Sequence, residues 1–323
     1  MPTAIFVSRH GGPEVLQARE HDPGAPGAGQ VRVRVEAAGV NFIDTYLRSG
    51  AYRREPGFVL GLEGAGTIES VGAGVADLRV GQRVAWAQVA GSYADAVVAP
   101  AQALVAIPDG VATNVAAAAM LQGMTADYLV YGVRETESGD VALVHAAAGG
   151  TGQLLVQMLK QAGLRVFGTC STPQKAALAR KAGADEVILY TEVDFASEVR
   201  RLTEGRGVDV VYDSVGKTTF EGSLKSLRPR GLLVLFGQAS GAVPPFDLQR
   251  LNQHGSLFVT RPSLTHYLAT REELALRADA VFDGIAHNEL KIRIDRVFPL
   301  AQAADAHRHL EARATHGKVL LMP

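Results

Sequence analysis

One stretch limits the fold more than any other: VALVHAAAGGTGQLLVQMLKQAG, Val141 to Gly163. A short apolar run, Val141–His145, leads through a glycine-rich turn straight into an amphipathic helical pattern. The turn reads Ala147-x-Gly149-x-x-Gly152, a variant of the dinucleotide-binding fingerprint in which Ala147 takes the place of the first glycine. The physical demand behind that fingerprint is local. The backbone must turn tightly, let a pyrophosphate approach, and aim the amides of a helix N-terminus at it. A glycine-rich run alone is usually only a turn, so the strand and helix flanking this one carry the weight.

Beyond Gly163 the chain keeps alternating strand and helix. Apolar strands are expected at Arg165–Thr169, Glu186–Leu189, Val208–Tyr212, Leu232–Phe236 and Leu257–Thr260. Helical segments such as Gly152–Ala162 and Pro173–Ala182 lie between them, the latter with proline in its first turn. Nearly continuous apolar strands separated by helices indicate an α/β fold with a doubly wound parallel sheet. The first 110 residues or so differ. Val31, Val33 and Val35 alternate with Arg32, Arg34 and Glu36, the pattern of a half-buried strand. Short apolar runs at 66–71, 83–87 and 94–98 are broken by Gly, Asp and Pro, as in a rolled-up β domain. The last 60 residues open with a charged helix, Arg271–Ala286, and close with a strand, Lys318–Met322, expected to rejoin the first domain. The domain boundaries expected are 1–123, 124–262 and 263–323.

Charge and cysteine content narrow the setting. The 32 basic residues balance 33 acidic ones, so nothing favours nucleic acid or an anionic membrane as a partner. Cys170 is the single cysteine, which rules out an internal disulfide framework and suits a reducing compartment. The N-terminus lacks the pattern of a secretory signal. The most membrane-like segment, Val111–Val133, is interrupted by Asn114, Gln122, Thr125 and Asp127. A cytoplasmic location is expected.

The choice of dinucleotide is read about 20 residues beyond the glycines, where NAD sites usually carry an acid for the ribose hydroxyls. Here the chain reads Phe167-Gly168-Thr169-Cys170-Ser171-Thr172-Pro173-Gln174-Lys175, with no acid. Ser171 and Thr172 can donate hydrogen bonds and Lys175 brings a positive charge, a set suited to a 2′-phosphate and so to NADPH. Ligands of such sheets bind beyond the carboxyl ends of the strands. That rule nominates Tyr190, Asp213, Ser214 and the loop Phe236–Gly241. Asp213 could equally cap a helix over Gly216–Leu227.

These segments, in this order, resemble the medium-chain dehydrogenase/reductases, and within them the zinc-free quinone oxidoreductases related to zeta-crystallin. The resemblance spans nearly the whole chain and rests on GVNFIDTYLRSGAY (Gly39–Tyr52), VHAAAGGTG (Val144–Gly152), VVYDSVG (Val210–Gly216), FGQASGAV (Phe236–Val243), VTRPSL (Val259–Leu264) and RATHGK (Arg313–Lys318). It implies a GroES-like β-rich catalytic domain, a Rossmann cofactor domain, and a C-terminal segment completing the former. It further implies NADPH-dependent reduction of quinones or other conjugated carbonyls, and a homodimer formed through the cofactor domain near Leu257–Thr260. Carried over residue by residue, it nominates Asn41, Thr125, Gly149, Gly150, Thr151, Gly152, Ser171, Thr172, Lys175, Tyr190, Ser214, Gly237, Ser240 and Lys318 as NADPH contacts.

Metal is not expected. A catalytic zinc needs three protein ligands and an open position. Zinc-containing relatives carry a cysteine in the first loop and a His-Glu pair after the next. Here Asn41 lies in that loop, and GLEGAGTIESVGAGV (Gly61–Val75) has Leu62 before Glu63 where the histidine would stand. His307 and His309 point to different sides of their helix. His145 ends a strand and reads as a packed, hydrogen-bonded residue. Glu63 reads as a charge that orders neighbouring backbone or a nearby cation.

Hydride transfer is chemistry that a nicotinamide brings, and the protein must align the reacting rings and exclude water. Asn41, Asp44, Tyr46 and Tyr52 occupy the loop and short helix nearest the expected substrate. Tyr46 and Tyr52 could stack on an aromatic ring or supply a proton, and Asn41 could orient nicotinamide or polarise a carbonyl. The plainer roles are a helix cap for Asn41 and i, i+4 packing of Phe42 on Tyr46. Three functions stand side by side: quinone reduction, reduction of α,β-unsaturated ketones or aldehydes, and NADPH binding in a structural or RNA-interacting protein. The absence of a basic, aromatic stripe weighs against the last.

Overall fold

Strand-forming alternation and glycine-rich turns build most of one unit, and strand–helix alternation builds the other. The computed structural model describes residues 2–323. One unit comprises Met1–Met124 with Leu268–Pro323, and the second comprises Thr125–Tyr267.

The first unit begins with β1 (Thr3–Val7) and β2 (Leu16–Glu20), followed by the long β3 (Gln30–Val40), α1 (Phe42–Ser49) and β4 (Phe58–Val59). Then come β5 (Glu63–Val71), β6 (Arg83–Trp86), β7 (Ala96–Pro100), β8 (Val105–Ala106) and α2 (Thr113–Tyr131), whose residues from Thr125 onward belong to the second unit. Strands β2, β1 and β4 make a small antiparallel sheet in that order. In β3 the valines at 31, 33 and 35 are buried, as their alternation requires, while Arg32, Arg34 and Glu36 lie on the other face. From Ala37 to Val40 every residue of β3 is buried, so the strand passes from a half-covered sheet into the interior.

The second unit runs β9 (Val141–Val144), α3 (Gly150–Gln161), β10 (Arg165–Cys170), α4 (Pro173–Lys181), β11 (Glu186–Leu189), α5 (Phe195–Leu202) and β12 (Val208–Asp213). It continues with α6 (Phe220–Ser226), β13 (Leu227–Leu235), α7 (Gln249–Gln253) and β14 (Phe258–Thr260). The six strands are parallel in the order β11-β10-β9-β12-β13-β14. The order reverses between β9 and β12, the place where doubly wound sheets bind ligands. Every residue of β9 and β12 is buried, as covered parallel strands require. Leu143, Phe167, Val211 and Leu233 centre this core.

The chain then returns to the first unit through α8 (Arg271–Ala286), β15 (Ile294–Pro299), α9 (Ala303–Glu311) and β16 (Lys318–Met322). Strand β16 pairs antiparallel with β3, Val319 opposite Val40 and Leu321 opposite Ala38. The larger sheet is thereby completed in the order β15-β16-β3-β5-β6-β8, with β7 also on β3. Among the described residues, no helix is long and apolar enough to cross a membrane.

Boundaries differ from the sequence reading at several elements, most of all at β13, which begins at Leu227 rather than Leu232, and the second unit runs to Tyr267 rather than to residue 262. Strand β14 begins at Phe258 rather than Leu257. Helix α6 begins at Phe220 rather than Gly216, because the preceding residues form a turn around Asp213. Its Oδ1 accepts from the N–H groups of Val215 and Gly216 at 2.8 and 2.9 Å, and Gly216 has φ of 88°, outside the helical region.

Candidate functional site

In the second unit, the glycine-rich turn between β9 and α3 is shaped by contacts of its own backbone. Ala146 takes φ of 52°, so a non-glycine residue carries the left-handed step of the turn. The Gly149 N–H closes it on the Ala146 carbonyl at 2.9 Å, and Gly149 is the N-cap of α3. A Cβ on Gly152 would lie 2.9 Å from the Ala147 Cα and collide with the Ala146 carbonyl oxygen. Only glycine lets the helix start this close to the strand. The first turn of α3 has no acidic residue, leaving its amide dipoles unopposed for an anion.

The end of β10 supplies the next groups. Thr172 caps α4, its Oγ1 accepting from the Lys175 N–H at 3.2 Å, which keeps the hydroxyl proton for another partner. Ser171, Thr172 and Lys175 are each half-buried, and no carboxylate lies in the first turn of α4. Tyr190 follows β11, its N–H on the Cys170 carbonyl, with its side chain exposed. The loops after β12 and β13 are zipped together. Ala239 N–H reaches the Ser214 carbonyl at 3.1 Å, Ser240 Oγ donates to the Val215 carbonyl at 2.7 Å, and a Cβ on Gly237 would sit 2.9 Å from the Ser214 Cα. Gly149, Gly150, Thr151, Gly152, Ser171, Tyr190, Ser214, Gly237 and Ser240 thus lie beyond the carboxyl ends of neighbouring parallel strands.

Two residues of this unit resolve into structural parts. Asp213 is fully buried and also accepts from Thr219 Oγ1 at 2.8 Å and Ser223 Oγ at 2.9 Å, so it anchors the turn before α6 in the manner of a cap. His145 is packed as expected, with Nδ1 2.9 Å from Thr169 Oγ1 and Nε2 3.0 Å from Ser223 Oγ. Burial pushes its pKa down, against an upward pull from Asp213.

The first unit holds a second polar arrangement around α1. Phe42, Tyr46 and Tyr52 form an aromatic row, with ring centres 6.4 and 5.1 Å apart. Tyr46 and Tyr52 are half-buried, offering ring surface while remaining packed. Asp44, on the same helix, turns inward and is fully buried. Its Oδ2 accepts from the Asn41 N–H at 2.8 Å and from the Tyr93 hydroxyl at 2.9 Å. Loss of solvent pushes Asp44 up to about 7, with Glu63 adding to the rise and these hydrogen bonds and Lys318 opposing it. Beyond Tyr93 the chain of contacts continues to His307 Nε2 at 3.3 Å, Arg48 at His307 Nδ1, and Glu311 at Arg48 with 2.6 Å. Burial pushes Tyr93 well up, and burial with the neighbouring Arg48 pushes His307 down to about 3.

Asn41 stands at the N-cap of α1 in a capping box with Asp44, as its plainer reading had it, and its side chain is also held from the interior. Nδ2 donates to Glu63 Oε2 at 2.7 Å, and Oδ1 accepts from Lys318 Nζ at 2.7 Å. Lys318 is ion-paired with Glu63, and both are buried. Glu63 Oε1 accepts from the Leu121 N–H at 2.7 Å. Glu63 therefore has both partners foreseen for it, a backbone amide and a cation. Gly39 makes room for the pair, because a Cβ there would collide with the Glu63 carboxylate and lie 2.8 Å from Lys318 Cε.

Known proteins match this chain over its full length. The profile described as "Alcohol dehydrogenase GroES-like domain" matches residues 27–109, and that described as "Zinc-binding dehydrogenase" matches 182–321. A quinone oxidoreductase of Pseudomonas aeruginosa is 47% identical over 326 residues, covering 100% of both chains. The chain belongs to the quinone oxidoreductase family. The structure of Escherichia coli quinone oxidoreductase complexed with NADPH superposes with a TM-score of 0.97 at 44% identity, covering 99% of this chain and 100% of that one. A 2-haloacrylate reductase of Burkholderia sp. is 42% identical, covering 100% of this chain and 99% of its own. Within this family the fold is the GroES-like domain with a Rossmann sheet that the sequence motifs implied.

The word zinc in the second profile's description finds no ligand set here. Among the described residues, no three His, Cys, Asp or Glu side chains gather to hold a metal ion. Glu63 is spent on the Lys318 ammonium, and Cys170 is buried in the second unit with its thiol pushed up to about 11 by burial. A catalytic zinc does not fit these residues.

Sequence reasoning missed Tyr93, Arg48 and Glu311. Tyr93 offered one signal, a large aromatic residue between Gly91 and Asp95 in a turn, and nothing in its spacing linked it to His307.

Proposed function

We propose that the chain is an NADPH:quinone oxidoreductase that moves a hydride from NADPH to a quinone without a metal. The observation that carries this reading is full-length similarity to quinone oxidoreductases, joined to a glycine turn and an acid-free β10 end that suit NADPH. Bound nicotinamide supplies the hydride. Gly149, Gly150, Thr151 and Gly152 would hold the pyrophosphate on the N-terminus of α3. Ser171, Thr172 and Lys175 would take the 2′-phosphate through two hydroxyls and an ammonium. Tyr190, Ser214, Gly237 and Ser240 would flank the same strand ends, with Thr125 as a further contact. Tyr46 and Tyr52 would receive the quinone ring on their exposed faces. A quinone's reduced oxygen can take its proton from solvent, so no dedicated acid is required. Asn41 and Lys318, foreseen as cofactor contacts, are bound to each other and to Glu63, and in this reading they would serve the site through position.

Stopped-flow oxidation of NADPH by 1,4-naphthoquinone tests this directly. Saturable turnover, with kcat/KM for NADPH well above that for NADH, is expected. Turnover with NADH alone, or with neither cofactor, overturns the assignment. A second reading, reduction of conjugated C=C bonds, is favoured by the similarity to a 2-haloacrylate reductase, whose named substrate class is an α,β-unsaturated acid. A panel of quinones, enones and haloacrylates ranked by kcat/KM separates the two.

The same reading includes a homodimer paired along β14, supported by Phe258 and Val259, which are 62% and 38% exposed on the sheet's edge strand. It also includes a cytoplasmic site of action, in keeping with a lone, unpaired cysteine.

A further inference from the structure

The nitrogen and oxygen of a carboxamide occupy nearly the same volume, so an asparagine's orientation is set by its partners alone. At Asn41 those partners leave no choice. An ammonium can only donate and a carboxylate can only accept. Lys318 Nζ therefore takes Oδ1 at 2.7 Å, and the Glu63 carboxylate takes Nδ2 at 2.7 Å. Gln122 Nε2 brings a second donor to Oδ1 at 3.3 Å, and the Gly39 carbonyl accepts the other amide proton at 3.3 Å. These contacts use both N–H donors of the side chain, and its oxygen faces donors alone, the Asp44 N–H of the capping box included. The backbone N–H of Asn41 is held as well, by Asp44. Asn41 is thus pinned at the junction from which α1 starts, five residues before Tyr46 in a helix only eight residues long.

We propose that Lys318 and Glu63 are positioning residues: their buried ion pair sets the orientation of the Asn41 carboxamide and, through it, the start of α1 and the placing of Tyr46. The kinetic part of the inference rests on the quinone-reductase reading, and the structural part does not. A neutral pair of the same shape could fill this space, but amide and thioether groups would let the carboxamide turn over. Charge is what makes the two orientations unequal, the role in which buried ion pairs are best justified. The pair also bridges distant chain: Glu63 opens β5, Lys318 opens β16, and Asn41 follows β3, the strand that both flank. The ammonium is therefore a fixed cation delivered by the last strand to a loop that has no metal ligand set.

The test uses the full chain and two kinds of readout. In wild type, the Asn41 side-chain amide protons should resist exchange with D2O in ¹⁵N-resolved NMR, because both are bonded in the interior. Rapid exchange there overturns the proposal without any variant. E63Q/K318M removes both charges at once and leaves no uncompensated ion, which favours retention of the fold, to be checked by thermal unfolding. In it the protection of the Asn41 amide should be lost. With 1,4-naphthoquinone, kcat should fall by about 10- to 100-fold, as for a group displaced from its working position, while the NADPH Kd stays within about threefold. Wild-type protection or wild-type kcat in the folded E63Q/K318M protein overturns the proposal. Should wild type reduce no quinone, enone or haloacrylate, the functional reading fails, and the amide protection still decides the positioning.

Discussion

Arg48 and His307, 259 residues apart, meet through a single hydrogen bond of 2.9 Å, and that bond sets the direction of a buried chain. Arg48 can only donate, so His307 Nδ1 must accept and its proton must reside on Nε2. The Nε2–H then faces the Tyr93 oxygen, and the Tyr93 hydroxyl donates to Asp44. The chain thus holds a neutral histidine at one end and a carboxyl that resists ionisation at the other.

The two ends pull stability in opposite directions as pH changes. Asp44, raised from 3.8 to about 7, keeps its proton when the unfolded chain has lost it, so its contribution falls as pH rises across that window. His307, lowered from 6.5 to about 3, stays neutral when the unfolded chain is protonated, so its contribution rises with pH across its own window. Between about pH 4 and 6.5 the two largely cancel, each worth about 1.4 kcal/mol per pH unit. Asp44→Asn should make unfolding free energy climb with pH in that range, and His307→Gln should make it fall. Urea unfolding at half-unit pH steps checks this, and parallel slopes in both variants would refute it.

Lys175→Ala should discriminate between cofactors. Removing one charge-assisted bond to a 2′-phosphate costs about 1.5–3 kcal/mol, so NADPH should bind roughly 10- to 100-fold more weakly and NADH nearly unchanged. Isothermal titration with both cofactors decides it, and equal losses would sink the 2′-phosphate assignment.

Gly152→Ala tests the turn. A Cβ there meets backbone, which cannot swing aside as a side chain would, so the start of α3 must shift. NADPH affinity should drop at least about tenfold, or about 1.4 kcal/mol, with the unit still folded by circular dichroism. Unchanged affinity would mean that the pyrophosphate lies elsewhere.

Tyr46→Phe and Tyr52→Phe keep the ring and remove the hydroxyl, whereas alanine removes both. If the rings serve as a surface for the quinone, the phenylalanine variants should retain KM and the alanine variants should raise it by roughly tenfold, the worth of an aromatic pair at about 1.5 kcal/mol. A collapse of kcat in the phenylalanine variants would instead make a hydroxyl the proton donor.

Phe258→Lys with Val259→Lys places charge on the free edge of β14 and should turn a dimer into a monomer in sedimentation velocity. A wild-type monomer at micromolar concentration would rule out the pairing.

The second unit is legible in the sequence because its signals are local. A four-residue apolar strand, a glycine turn and a 3.6-residue period all lie within 23 consecutive positions, Val141 to Gly163. The acid-free end of β10 is legible for the same reason. The polar core of the first unit is not, since Asn41 meets Glu63 across 22 residues and Lys318 across 277. Glu63 and Lys318 each open a strand, where a charge ordinarily faces water, and periodicity cannot tell that these two face one another. Asp44 misleads for a related reason. On a short helix it passes for a site-facing carboxyl, when Tyr93, supplied by a distant turn, draws it inward. Helix α6 is shorter than its sequence suggests because side-chain capture of two backbone amides by Asp213 competes with helix formation and leaves no trace in hydrophobic pattern.

The missing side chain of Gly39 has a consequence for the order in which this chain can change. Alanine at 39 is among the mildest substitutions on paper, yet here its methyl would displace one member of a buried ion pair, at a cost of about 3–5 kcal/mol. Once both charges and their long side chains have been replaced by smaller groups, the same methyl would fill vacated space. The sign of its effect therefore depends on what has already happened at 63 and 318. A laboratory-evolution path through these positions runs in one direction only, from the two flanking strands to Gly39, and a single-site scan at 39 would see just the closed door.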